Sequence, residues 1–80
     1  MTEHGTGPLC QCIERALEQY FRQLQGEAPS GLYDLVLTEV ERPLLEAVMN
    51  YAGSNQSRAA RYLGINRNTL RKKLIHYGIE

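Results

Sequence analysis

Apolar residues recur every three or four positions through most of the chain, which is the period of an amphipathic α-helix. The first such stretch predicts a helix over residues 9–24, entered at Pro8. Residues 26–31 are rich in small and turn-forming side chains and predict a loop, with Gly26 as the helix C-cap. The second apolar stretch predicts a helix over residues 32–51. No segment has the alternating pattern of a strand.

The second predicted helix carries an apolar stripe too broad for one short partner helix, which indicates burial on two sides. The stripe consists of Leu32, Val36, Leu37, Val40, Leu44, Leu45, Val48 and Met49. Such a helix spans about 30 Å at 1.5 Å per residue, which suits one that crosses a dimer interface. Pro43 removes a hydrogen bond from its middle and predicts a kink. The alternative is two helices divided at Arg42.

The last third of the chain predicts two short helices joined by a tight turn. Asn55 is expected to cap the first helix, because its side-chain oxygen can accept a backbone N–H. Gly64 ends that helix, and Asn66 caps a new one that starts at about Arg67. This order of elements is typical of a helix-turn-helix. The residues expected to fill the space between the helices are Ala59, Ala60, Leu63, Ile65, Leu70, Leu74 and Tyr77.

The second helix of this motif carries the candidate chemistry. Arg67, Asn68 and Thr69 stand at its N-terminus, the end that reaches base edges in helix-turn-helix proteins. Arginine can bind guanine with two hydrogen bonds, and lysine and threonine suit phosphates. The alternative is an ordinary solvated basic face, which the run at residues 71–73 alone would favour. The turn in front of that run favours DNA binding instead.

Length and charge point the same way. A chain of 80 residues forms one domain and buries only about 60% of its unfolded surface, so oligomerisation is expected to supply the missing core. Net charge is zero, but the charges are segregated. Residues 1–49 hold three basic and eight acidic side chains, whereas residues 50–80 hold six basic and one acidic. This split indicates a basic binding module on an acidic scaffold.

The sequence lacks the residue patterns of metal sites, catalytic sites and membrane spans. Cys10 and Cys12 have no further ligands at metal-site spacing and are expected to be free thiols in a reducing cytosol. His4 and His76 have no nucleophile or acid partner, so we expect no enzyme, metal, cofactor or small-molecule ligand. No apolar run is long enough for a membrane span, and the N-terminus does not have the pattern of a signal peptide. The expected location is the cytoplasm.

The segments GINRNTLRKKL (residues 64–74) and NQSRAA (residues 55–60) resemble the bacterial Fis family, the factor for inversion stimulation. The same helix-turn-helix also ends NtrC-type enhancer-binding activators. Two upstream segments, YDLVLTEVERPLL (residues 33–45) and ALEQYFRQL (residues 16–24), favour the free-standing Fis proteins. The resemblance runs from Pro8 to the C-terminus.

This resemblance implies an all-α fold with four helices per subunit. It implies an intertwined homodimer with a four-helix dimer core and a C-terminal helix-turn-helix. With the chain's own patterning it divides the sequence into a disordered tail (residues 1–7), a helical dimerisation core (8–53) and a helix-turn-helix region (54–80), the last two forming one folded unit. The expected dimer core consists of Ile13, Leu17, Tyr20, Phe21, Val36, Val40, Leu44 and Val48.

The resemblance also implies individual contacts to double-stranded DNA. The base-contacting residues are Arg67 and Arg71, the phosphate or groove-edge residues are Asn66, Thr69 and Lys72, the backbone contacts from the first helix of the motif are Asn55, Ser57 and Arg58, and Lys73 is a further phosphate partner. The implied function is sequence-tolerant DNA binding and bending that organises the nucleoid and regulates transcription. The alternative is a helical interaction module that acts on another regulator without a DNA site of its own.

Two features depart from the family pattern. Ile75 and His76 stand where close family members carry lysines. Only seven residues precede Pro8, whereas members that stimulate DNA invertases carry a longer β-hairpin arm. We therefore expect DNA binding and bending without arm-mediated activation of a serine invertase.

Overall fold

The computed structural model describes residues 7–80, which form four α-helices and no strand. The helices are α1 (Pro8–Gln23), α2 (Leu32–Tyr51), α3 (Gln56–Leu63) and α4 (Arg67–Tyr77). The predicted all-α class with four helices is confirmed. The expected tail and the question of an N-terminal arm concern residues that lie outside the described part, except for Gly7. This residue is the N-cap of α1.

The described chain divides into two compact units, one ending at Leu32 and the other comprising Tyr33–Glu80. In the first unit, α1 begins at Pro8, where the missing N–H of proline costs no helical hydrogen bond. The helix is amphipathic, yet none of its residues is buried. Its largest apolar side chain, Phe21, is 44% exposed. The apolar side chains of α1 therefore form no buried core of their own.

The expected C-cap at Gly26 was wrong. The cap of α1 is Leu24 in a right-handed conformation, and its N–H donates to the carbonyls of Tyr20 and Phe21. The carbonyl of Arg22 accepts from the N–H of Gln25, the residue after the cap. Left-handed backbone follows only afterwards, at Gln25 and Gly26. The helix therefore ends by tightening its last turn, and glycine serves the loop that follows it.

The second helix is a single element, and the alternative division at Arg42 was wrong. Pro43 lies inside α2. Because proline has no N–H, the carbonyl of Glu39, four residues earlier, loses its helical partner. Both residues are exposed, and the helix continues past them to Tyr51. The kink stays a prediction.

The core of the second unit joins the C-terminal half of α2 to α3 and α4. Its buried residues are Leu45, Met49, Ala52, Ala59, Ala60, Leu70, Leu74 and Tyr77, with Val48, Leu63, Ile65 and Ile79 packed at its edge. The residues expected to fill the helix-turn-helix are thus confirmed in that place. The C-terminal half of α2 thus shares one core with the motif. The bounds expected for the dimerisation core and the helix-turn-helix region stay a prediction.

The expected dimer residues form no buried core within one chain. Those on α1 are half-buried (Ile13, Leu17, Tyr20) or exposed (Phe21), and those on α2 are half-buried (Val36, Val48) or exposed (Val40, Leu44). Leu44 is 46% exposed, whereas its neighbour Leu45 is only 2% exposed. One side of α2 therefore belongs to the core of the second unit, and the other side presents apolar surface.

Candidate nucleic-acid interface

The first turn of α3 is organised by Asn55. Its backbone is extended, and its Oδ1 accepts a hydrogen bond of 2.9 Å from the N–H of Arg58. The predicted N-cap is confirmed. Because the cap uses the oxygen of the amide, the Nδ2 group of Asn55 keeps its donors for another partner. The cap also fixes the backbone that carries Ser57 and Arg58, both exposed.

The turn between α3 and α4 depends on Gly64. Its φ of 76° is left-handed, a conformation that costs any residue with a Cβ some steric strain. The N–H of Ile65 donates to the carbonyl of Ala60 at 3.1 Å, and the N–H of Gly64 donates to that of Arg61 at 3.2 Å. This pair of bonds closes the end of α3 as a Schellman motif. The predicted glycine stop is confirmed.

The first turn of α4 repeats the capping arrangement. Asn66 Oδ1 accepts a hydrogen bond of 2.7 Å from the N–H of Asn68, so the second predicted N-cap is also confirmed. The helix begins at Arg67, and no acidic residue stands in its first turn. The partial positive charge of the helix N-terminus is therefore not offset by a carboxylate on that turn, which favours an anion in front of it.

The buried stripe of α4 determines which side chains point to solvent. Leu70 and Leu74 are 0% and 2% exposed. At 100° per residue, Arg71 and Lys72 project away from that stripe, on the solvent side of the helix. The exposed polar residues of the first two turns are Arg67, Asn68, Thr69, Arg71 and Lys72. We call these five residues the basic face. Asn68 belongs to it although the family resemblance gave it no contact.

One hydrogen bond connects the two helices of the motif at this surface. Arg67 Nη1 donates to Ser57 Oγ at 3.1 Å. The two residues are ten positions apart and were expected to contact DNA separately. The structure brings them together, so Ser57 is a hydrogen-bond partner of the Arg67 guanidinium within the chain.

Lys73 has a different environment from the basic face. Its Nζ lies 2.7 Å from Glu41 Oε2 on α2. The hydroxyl of Tyr77 donates to the other carboxylate oxygen of Glu41 at 2.6 Å. We call these three residues the Glu41 cluster. Sequence reasoning missed it, because Glu41 and Tyr77 are 36 positions apart and no local pattern connects them.

The Glu41 cluster lies in an open groove between α2 and α4. Arg42 places its guanidinium carbon 5.4 Å from the centroid of the Tyr77 ring. The His76 ring packs edge-on against the same ring, with 4.9 Å between the two ring centroids. The groove is also lined by Asp34, Leu37, Thr38 and Lys72. Tyr77 is therefore held by its hydroxyl and by its ring, which fixes the last turn of α4 against α2.

The contacts of the Glu41 cluster shift the ionisation of all three members. Hydrogen bonds from Lys73 and then Tyr77 lower the pKa of the Glu41 carboxyl from its ordinary value. The hydrogen bond to Glu41 raises the pKa of the Lys73 ammonium. The same kind of bond raises the pKa of the Tyr77 hydroxyl. Each shift favours the protonation state in which the cluster is intact near neutral pH.

Within residues 7–80, no group of histidine, cysteine and acidic side chains could hold a metal ion. No helix in that range is long and apolar enough to cross a membrane. Cys10 and Cys12 are free thiols, and Cys10 Sγ lies 3.8 Å from Glu14 Oε2. Burial, followed by the charge of Glu14, raises the pKa of the Cys10 thiol.

A family model described as "Bacterial regulatory protein, Fis family" matches residues 36–77. The chain belongs to the Fis family. The matched range covers most of α2 and the whole helix-turn-helix. The resemblance stated from the sequence is thereby confirmed.

Individual relatives extend the similarity to the N-terminal helix. A protein of Ralstonia nicotianae named "Putative Fis-like DNA-binding protein" is 60% identical over 72 residues, which is 90% of this chain and 94% of the relative. One of the same name from Neisseria meningitidis serogroup A is 55% identical over 76 residues, 95% of this chain and 96% of the relative. "DNA-binding protein Fis" of Yersinia enterocolitica is 57% identical over 72 residues, 90% of this chain and 74% of the relative.

Acidification should weaken the fold through Glu41. Because its pKa is lowered in the folded chain, its stabilising contribution is present above the ordinary value of 4.5 and is lost as pH falls through the folded pKa. Urea unfolding between about pH 3 and pH 7 should show a steeper loss of stability for the wild type than for Glu41→Gln. Glu39→Gln, an exposed position on the same helix, is the matched control and should keep the wild-type slope.

At alkaline pH the stability of the fold should fall as pH rises, the opposite of its dependence at acid pH. Lys73 and Tyr77 have raised pKa values, so their contributions to the stability of the fold are complete below the ordinary pKa values of 10.5 and 10.0. These contributions are lost as pH rises through the pKa values of the folded chain.

In the acid experiment, equal slopes of stability against pH for the wild type and Glu41→Gln would show that the cluster does not stabilise the fold.

Proposed function

We propose that this chain is a homodimeric DNA-binding and DNA-bending protein that organises the bacterial nucleoid in the cytoplasm and regulates transcription. The observation that carries the proposal is the basic face of α4, held outward by the buried stripe behind it on a helix-turn-helix. The family match and the relatives named as DNA-binding proteins support it.

In this proposal α4 lies in the major groove of double-stranded DNA. Arg67 and Arg71 read bases, since a guanidinium can bind both acceptor atoms of guanine. Lys72 and Thr69 bind phosphates or the groove edge. Four residues at the N-termini of α3 and α4 contact the sugar-phosphate backbone of the DNA: Asn55, Ser57, Arg58 and Asn66. The capping asparagines use their oxygens internally, so Nδ2 is the atom they offer to a phosphate.

Two observations support a homodimer. No residue of α1 is buried, and α2 exposes Val40 and Leu44 on the side away from the core of its unit. A core of eight buried residues is small for an independently stable protein. A second copy of the chain would cover both faces and would place two basic faces on one side of the molecule.

Substitutions on the basic face should separate base reading from phosphate binding. Arg67→Ala and Arg71→Ala should each lose about 1–3 kcal/mol on specific sites and relax sequence preference. Lys72→Ala should weaken binding to all sequences alike and flatten the dependence of log K on log salt by about one unit for each subunit engaged. Fluorescence anisotropy over a range of salt concentrations measures both quantities.

The salt titration also tests the alternative function. An interaction module without a DNA site would not need the basic face. Binding that is absent or independent of salt would favour that alternative. Unchanged affinity and preference in Arg67→Ala would show that α4 is not the recognition helix.

Two adjacent leucines give a test of the dimer. Leu45 is buried within the chain, so Leu45→Ala should destabilise any oligomeric state. Leu44 is 46% exposed in a single chain, so Leu44→Ala should be costly only if a partner covers it. For a dimer we expect both variants to lose about 2–5 kcal/mol. The thermal midpoint should also rise with protein concentration. A concentration-independent monomer by sedimentation would contradict the dimer.

Bending follows from the spacing of two recognition helices. Adjacent major grooves on one face of straight B-DNA lie roughly 34 Å apart. The family resemblance implies that the two α4 helices of a dimer are closer, because both are fixed to one compact core. Smooth bending of a short site costs about 1–6 kcal/mol, so the DNA yields before the packed protein does. The central minor groove then narrows, and A·T-rich centres, which are already narrow, deform at a lower cost.

The centre of the site gives the experiment. Replacing central A·T pairs by G·C, with the flanking guanines kept, should reduce affinity although no side chain touches those bases. A circular-permutation gel assay on the same duplexes reports the bend. Unchanged affinity together with unbent DNA in the complex would contradict the mechanism.

A further inference from the structure

Lys72 and Lys73 are adjacent and are the only two lysines of the chain. The family resemblance implied phosphate contacts for both. The structure distinguishes them, because Lys72 is exposed whereas Lys73 is half-buried against α2. One step along a helix turns a side chain by about 100°, which directs Lys73 away from the basic face and toward Glu41.

Both oxygens of the Glu41 carboxylate are occupied, one by Lys73 at 2.7 Å and the other by Tyr77 at 2.6 Å. The Glu41 side chain is only 28% exposed, compared with 37% for Lys73. If Lys73 left for a phosphate, it would leave a partly buried carboxylate with its charge uncompensated. That carboxylate would also repel the incoming phosphate. Lys73 would thus exchange its short charge-assisted hydrogen bond to Glu41 for a bond to a phosphate that the free Glu41 carboxylate repels.

We propose that Lys73 is a positioning residue, bound by Glu41 so that it fixes the C-terminal half of α4 against α2, and that Lys72 alone of the two lysines contacts DNA phosphates. This inference rests on the proposed DNA binding. Glu41 then has two effects on α4. It fixes the last turns of the helix to α2. It also holds the Lys73 ammonium, one positive charge per subunit, so that this group does not bind a DNA phosphate.

Acylation of the unmodified protein tests this directly, because the two lysines are its only side-chain amines. The protein is treated with an acetylating ester with and without a short duplex, and fragment mass spectra separate the two positions. DNA should slow acetylation of Lys72 and leave the rate at Lys73 unchanged. In Glu41→Gln, Lys73 should become more reactive in the free protein and should then be protected by DNA.

Salt dependence gives a second, independent readout. Lys72→Gln should flatten the slope of log K against log salt by about 0.9 for each subunit engaged, whereas Lys73→Gln should leave the slope unchanged. Glu41→Gln keeps an acceptor for Tyr77 but releases Lys73, so the slope should steepen by up to about 0.9 per subunit. Adding Lys73→Gln to Glu41→Gln should restore the wild-type slope. An unchanged slope in folded Glu41→Gln would show that Glu41 does not keep Lys73 away from DNA.

The outcomes distinguish a failure of this inference from a failure of the proposed DNA binding. If DNA protects Lys73 as strongly as Lys72, or if Lys73→Gln flattens the slope as Lys72→Gln does, the inference is overturned while DNA binding stands. If the unmodified protein shows no salt-dependent binding, both fail together. Circular dichroism checks that each variant is folded. If Lys73→Gln does not fold, the acylation of the wild type decides.

Discussion

The packing of Leu70, Leu74 and Tyr77 against the C-terminal half of α2 is the constraint on which the rest of this protein depends. These side chains are 0%, 2% and 8% exposed, and they set the rotation of α4 about its own axis. Since helix geometry then leaves no freedom, Arg71 and Lys72 must face outward. The small residues Ala59 and Ala60 let α3 pack closely enough to complete this core.

Most of the helix-turn-helix was predictable because its signals are local. An asparagine cap, a left-handed glycine and a second asparagine cap act within four residues of their own positions, and each was found where the sequence placed it. The end of α1 was mispredicted because two devices compete there. A last turn that tightens at Leu24 needs no glycine, so the presence of Gly26 did not determine the boundary.

The Glu41 cluster could not be predicted for the opposite reason. Its members come from two helices, and their meeting depends on how α4 rotates and where it lies along α2. A basic run such as residues 71–73 appears uniform in the sequence. In the fold its last member pairs with a carboxylate, and its first two face solvent. The assignment of individual charges to a ligand therefore needs the tertiary structure even when the family is evident.

In the proposed DNA complex, the hydrogen bond between Arg67 and Ser57 affects the entropy of binding. A free arginine samples many rotamers and loses them when a ligand orders it, at about 0.5–1.5 kcal/mol for a flexible side chain. Here the hydroxyl of α3 restricts the guanidinium before any ligand is present. Part of that loss has then already occurred during folding. Replacing Ser57 would keep the guanidinium of Arg67 but remove this restraint, so ordering that group on DNA would cost more conformational entropy.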